Sequence, residues 1–251
     1  MKSLIYVTIL SLVYFLPSDA QDLEQLISEA EAKDRALDTK GAFELYRQAE
    51  AIAPDNVVVL LGIAKQYGES MVDEASDAGK KKAGEMALAY SKKALNLAPE
   101  NSDANLAVSI SYGRLLDYIG SKQKVEYSKY VKQYAEEAIR LNPKSDYAWH
   151  MLGRWNTGVA ELSPVVKGIA KMVYGGIPQG SYSEAISAYR KAIALNPERL
   201  VHQIEMGITL AAMGRTAEAK AAIEKGISMP VRERDDPSNK KRGREALSKL
   251  K

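Results

Sequence analysis

The sequence of 251 residues contains no cysteine, which removes disulfides, thiolate nucleophiles, cysteine-ligated zinc and lipid-modified cysteine. Histidine is nearly absent. His150 and His202 stand 52 residues apart, there is no H-E-x-x-H zinc helix, and no metal cluster is evident from the spacing. No G-x-S-x-G elbow or P-loop occurs, and the glycine-rich stretch Gly175-Gly176-Ile177-Pro178-Gln179-Gly180 follows no predicted strand. Adjacent carboxylates such as Glu136-Glu137 and Asp235-Asp236 do not face each other on a helix. The sequence therefore points to a non-enzyme without cofactor or metal. An excess of one charge sign is also missing from most of the chain. Eight Lys/Arg against four Asp/Glu lie between Arg232 and Lys251, which leaves residues 21–231 near −1 and argues against a nucleic-acid partner.

Long apolar runs are scarce as well. Leu4 to Leu16 is apolar over thirteen residues, short of the roughly 20 that a spanning helix needs. It follows Met1-Lys2-Ser3 and precedes Pro17-Ser18-Asp19-Ala20, with small residues at −3 and −1. These features predict a secretory leader over residues 1–20, cleaved after Ala20, and an exported product, periplasmic or secreted, without a transmembrane segment.

What the chain does contain is a repeat. Ala49 to Pro54, Ala94 to Pro99, Ala138 to Pro143 and Ala192 to Pro197 read alike, each a helix end followed by a stop. Upstream, Ala42, Tyr46 and Ala49 recur as Ala87, Ser91 and Ala94, as Val131, Ala135 and Ala138, and as Ala185, Tyr189 and Ala192. Small residues let antiparallel helices approach, larger ones fill between hairpins, and proline ends the second helix. Trp149, Leu152 and Gly153 supply the W-x2-L-G half of a tetratricopeptide repeat, and Met206, Gly207, Gly214 and Ala219 lead to Pro230, 33 residues after Pro197. The expected fold is all-α, a tetratricopeptide-like solenoid of about five hairpins over residues 21–231, with residues 232–251 as a basic capping helix or tail. Asp236-Pro237 is read as that helix's N-cap and first position, with Leu247 and Leu250 as its apolar pair.

The earlier stop prolines are 45, 44 and 54 residues apart, where about 34 is usual. The first two excesses predict tall middle hairpins, each helix longer by roughly a turn and a half. The third falls at residues 161–180, where Pro164, Gly168, Gly175, Gly176, Pro178 and Gly180 break any continuous helix. It reads as an insertion in the fourth hairpin, with Val165, Val166, Ile169, Met172 and Val173 on one face of a short amphipathic helix.

Trp149-His150-Met151-Leu152-Gly153-Arg154-Trp155, then Ala160-Glu161, Ile169-Ala170-Lys171 and Ser181-Tyr182-x-x-Ala185, resemble the regulator of microtubule dynamics family. The resemblance runs over about Ser102 to Lys251, with Pro164 and Val165 standing where that family places a tryptophan in the insertion. It implies a helical repeat protein with a binding role, linked in the family to microtubules and organelle surfaces, and no enzymatic activity.

Repeat register predicts a concave row from the first helices: Val58, Leu61 and Lys65; Leu106, Ile110 and Arg114; Tyr147, His150 and Arg154; Val201, Ile204 and Ile208. Lys65, Leu106, Ile110, Arg114, Tyr147, His150, Arg154, Ile204 and Ile208 are the candidate binding residues. An apolar row with three cations suits an extended protein or peptide partner, or a lipid or other anionic amphiphile. The two-carboxylate peptide clamp needs Lys and Asn where Leu61, Leu106 and Ile204 stand. His150 is read as groove-lining or packed, Trp149 as core, and Trp155 as packing the insertion. Arg154 is the favoured cation, with Glu161 its nearest intramolecular alternative.

Overall fold

Two residues after Pro54, Pro99, Pro143 and Pro197 comes the N-cap position of the next helix, and at the first two of these an asparagine side chain caps it. The Asn56 side chain accepts from the amide of Val59 and the Asn101 side chain from that of Ala104 at 2.9 Å. A carboxamide two residues after proline thus satisfies one of the orphan amides of each new helix. The computed structural model describes residues 18–250, so residues 1–17 of the predicted leader lie outside the described residues.

Among the described residues the chain forms twelve α-helices and no strand: α1 Ser18–Arg35, α2 Thr39–Ile52, α3 Val57–Ser70, α4 Asp77–Leu97, α5 Ser102–Leu115, α6 Ser121–Leu141, α7 Asp146–Glu161, α8 Pro164–Tyr174, α9 Tyr182–Leu195, α10 Leu200–Ala212, α11 Thr216–Ser228 and α12 Asp236–Ser248. Helices α1/α2, α3/α4, α5/α6, α7/α9 and α10/α11 pair as five hairpins of a tetratricopeptide-like solenoid. Helix α8 is the insertion, and α12 packs on α10 and α11 as the cap.

The small residues of the pattern are the helix contacts. Ala42, Ala49, Ala94, Ala135, Ala138, Ala185, Ala192 and Ala219 are fully buried, and Tyr46 and Tyr189 fill the space beside them. The glycine of the L-G pair is fixed by that tyrosine. A Cβ on Gly62 would sit 2.4 Å from the Tyr46 ring, and one on Gly153 would sit 2.8 Å from the Tyr189 ring. The core is accordingly a chain of local clusters, the largest built from Leu88, Val108, Tyr112, Leu115, Val131, Met151, Trp155 and Val159.

Two expectations about length and capping need correction. In the middle hairpins the first helices, α3 and α5, have 14 residues each, no longer than α2, whereas α4 and α6 have 21 each. The extra chain therefore lengthens only the second helices, by about two turns, because Ser76 caps α4 early and the tight turn Leu116–Tyr118 ends α5. At the C-terminal helix the cap position is Asp235, and Asp236 is its first residue. The Asp236 carboxylate is buried and accepts from the amides of Arg232 and Glu233 at 2.8 and 2.9 Å, so it folds the preceding segment instead of capping the helix.

Candidate binding groove and apolar cavity

The first helices α3, α5 and α7 bring Leu61, Lys65, Leu106, Ile110, Arg114 and Tyr147 around one cavity of about 490 Å³ on the concave face. Its far wall is Arg199 of the turn before α10 with Glu233 and Asp235, which belong to the connection between α11 and α12. Five of the nine candidate residues thus meet here.

The other four go elsewhere. His150 and Ile204 are fully buried and line no surface: His150 of α7 is enclosed by Tyr189 of α9 and His202 of α10, and Ile204 of α10 by α11 and α12. A Cβ on Gly226 would lie 2.6 Å from Ile204, and one on Gly243 3.5 Å from it. Val201 is buried in the same layer. Ile208 lies at a shallow hollow beneath α12 with Arg242, Ala246 and Leu250, while Val58 is exposed outside the groove lining. Arg154 reaches a second cavity.

That second cavity, about 520 Å³, is mainly apolar. Leu116, Val125, Val131, Met151, Trp155 and Val159 form its floor and sides, and Val166, Ile169 and Ala170 of α8 border it with Ile177. Val125 comes from the two-turn extension of α6, so the extension and the insertion face each other across the hollow. Trp155 does pack the insertion end, since a Cβ on Gly180 would lie 3.1 Å from its ring, and its Nε1 donates to the Ser128 carbonyl at 2.8 Å. Trp149, expected in the core, is instead half-buried and donates to the Pro143 carbonyl at 3.0 Å, with Ala148 in the core beside it. The apolar face of α8 is largely turned to solvent: Val165, Ile169 and Met172 are 70%, 51% and 83% exposed.

The three concave cations differ in state. Lys65 pairs with Asp34 and, at 3.5 Å, with Glu69. Burial works against its charge, but Glu69 and Asp34 outweigh it and hold the ammonium above its ordinary range. Arg114 pairs with Asp235 at 2.6 Å. Arg154 makes no hydrogen bond or ion pair with any described residue, Glu161 included. Its side chain is exposed, and Glu205, the carboxylate whose field acts on it most strongly, is itself bonded to Arg242 at 2.6 Å.

The two histidines, remote in sequence, are adjacent in space. His150 Nδ1 and His202 Nδ1 are 3.0 Å apart, and His202 Nε2 lies 2.9 Å from Asp146 Oδ2, which also accepts from Arg199 at 2.5 Å. If His202 Nε2–H donates to Asp146, His150 Nδ1–H must donate to His202 Nδ1, which leaves His150 Nε2 a buried acceptor without a partner among the described residues. Burial drives His150 well below the usual imidazole range, with His202 and Arg154 adding to it. Burial also lowers His202 against the pull of Asp146, so both rings are neutral. The pair buttresses the groove wall through Asp146 and Arg199. The signal for it was available: both residues follow a stop proline by five to seven positions, which puts them on stacked first helices.

Residues 21–251 match the family model described as regulator of microtubule dynamics protein 1-3, so the likeness extends N-terminal of Ser102. Regulator of microtubule dynamics protein 2 of Homo sapiens is 27% identical over 156 residues, 62% of this chain and 38% of that protein. Protein 1 of Bos taurus is 27% identical over 187 residues, 70% of this chain and 55% of that one. The chain thus spans about half the length, or less, of these relatives. Among solved structures, a thermophilic tetratricopeptide repeat protein of Thermus thermophilus superposes with a TM-score of 0.62 at 17% identity, covering 92% of this chain and all of that one. PilF of Pseudomonas aeruginosa gives 0.54 at 13% identity, covering 93% and 90%. At these identities the structural likeness is one of fold. The repeat, the insertion and the family match over residues 21–251 together place the chain in the regulator of microtubule dynamics family.

Proposed function

We propose that the chain is a non-enzymatic scaffold that holds a protein or peptide partner in its concave groove. The observation that carries this reading is the groove floor: half-buried Leu61, Leu106, Ile110 and Tyr147 from three successive hairpins form one open apolar strip, with Lys65, Arg114 and Arg199 beside it. Such a strip offers alternating apolar and charged contacts to an extended chain. Export through the predicted leader, and any link to microtubules through the family, belong to the same proposal.

A second reading is favoured by the second cavity. An unpaired Arg154 at the edge of an apolar hollow suits an anionic amphiphile, its acyl part against Trp155 and Ile169 and its carboxylate or phosphate on the guanidinium fork. Native mass spectrometry of the exported protein separates the two readings. A co-purifying acyl ligand supports the carrier, whereas an empty chain that captures a defined peptide supports the scaffold. The same sample should begin at Gln21, and a mass that retains Met1 to Ala20 refutes export with cleavage.

A further inference from the structure

Residues 230–235 form no helix, yet Glu233 and Asp235 of this segment form part of the far wall of the concave groove. Four successive side chains each find an opposite charge on the solenoid, at three places: the turn before α10, the connection after α3, and α5. Arg232 pairs with Glu198 at 2.8 Å, Glu233 with Arg199 at 2.7 Å, Arg234 with Asp73 at 2.5 Å, and Asp235 with Arg114 at 2.6 Å. The two carboxylates, separated by one residue, point at the groove's arginines, and Asp236 fixes the backbone behind them. Among the described residues Arg114 has no other ion pair, while Arg199 keeps Asp146.

We propose that this segment is a built-in pseudo-ligand: the groove recognises an acidic peptide with two carboxylates one residue apart, and a partner of that kind binds by displacing residues 230–235. The proposal rests on the scaffold reading and names its partner class and its gate. Three features make the strap replaceable. Arg114 and Asp235 are still 23% and 25% exposed, so their attraction is screened. Asp235 Oδ1 and Arg234 Nε are buried without a hydrogen-bond partner among the described residues, so the strap satisfies its own polar groups incompletely. Beyond the two backbone bonds to Asp236, ion pairs rather than apolar side chains hold it. A tethered occupant competes at high effective concentration, and the affinity seen by an outside peptide falls by the fraction of time the groove is free.

The test uses the chain from residue 21 to 251 and a labelled, end-blocked peptide copying residues 230–237. Neutralising the strap by E233Q/D235N should tighten peptide binding at least tenfold over the unsubstituted chain. Adding R114Q should abolish the gain, and 0.5 M salt should weaken binding. R234Q, which cuts only the tie to Asp73, should give a smaller gain and serves if the double variant melts too early to assay. Equal affinity of unsubstituted, E233Q/D235N and R234Q chains overturns the gate and leaves the scaffold reading standing. Absence of binding by any folded variant at millimolar peptide overturns both.

Discussion

The concave groove and the apolar cavity share helices α5 and α7 and hold opposite kinds of unfinished business. In the groove every cation that the register placed there, Lys65 and Arg114, has a carboxylate from the chain itself, and the apolar floor is what remains free. In the cavity the walls are packed and apolar while Arg154 is left unanswered. A repeat array can therefore place equivalent side chains in equivalent positions and still give them different work, because the connections between repeats decide which charges are met.

The sharpest way to break the contrast is Trp155→Ala. The indole is 5% exposed and joins the central cluster to the cavity floor, so its loss should cost about 3–5 kcal/mol in denaturant unfolding. A variant that stays as stable as the parent would mean that the cavity is not a packed wall. Next comes Arg154→Ala. With no internal partner to lose, it should leave the melting temperature within about 2 °C while weakening an anionic ligand of the cavity ten- to a hundredfold, or about 1.5–3 kcal/mol. A drop of several degrees with unchanged affinity would make the arginine structural. Arg114→Ala should behave in the opposite way, lowering stability by about 1 kcal/mol because it strands Asp235, a value kept small by the partial exposure of the pair.

The smallest effect is that of pH on the wall behind the groove. Both histidines have folded pKa values below their ordinary 6.5, so the unfolded chain takes up protons first on acidification and stability falls as pH drops below that point. By pH 6 the loss should be about 1 kcal/mol or less for each ring, and replacing His150 with Leu should flatten the slope measured by thermal melts between pH 7.5 and 6. Unchanged slope in that variant would place the titration elsewhere.

Much of this was legible beforehand for a physical reason. Tyr46, Ala49 and Pro54, and their copies, act over three to eight residues, so local spacing reports helix packing directly. The concave row was legible for the middle hairpins because no further helix layer covers that face of α3 and α5. It failed at His150, which α9 and α10 enclose, and at Ile204, which α11 and α12 cover, because those contacts depend on tertiary packing rather than period. The charges of Arg232, Glu233, Arg234 and Asp235 read as a solvated tail, since their partners lie from 34 to 161 residues away and leave no trace in spacing. The middle hairpins were misread for a related reason: proline intervals give the total length, while Ser76 and the turn at Leu116–Tyr118 decide how it is shared.

A solenoid ordinarily folds as a line of neighbours, each unit stabilised only by the next, and can fray from either end. The pairs of Arg234 with Asp73 and of Asp235 with Arg114 tie the segment that follows the last hairpin back to the second and third. Contacts at such separation form late, after the entropy of closing the intervening chain has been met by the local hairpins. With its strap in place the array should consequently fray less readily at its C-terminal end, and whatever lifts the strap returns that end to the ordinary behaviour of a terminal repeat.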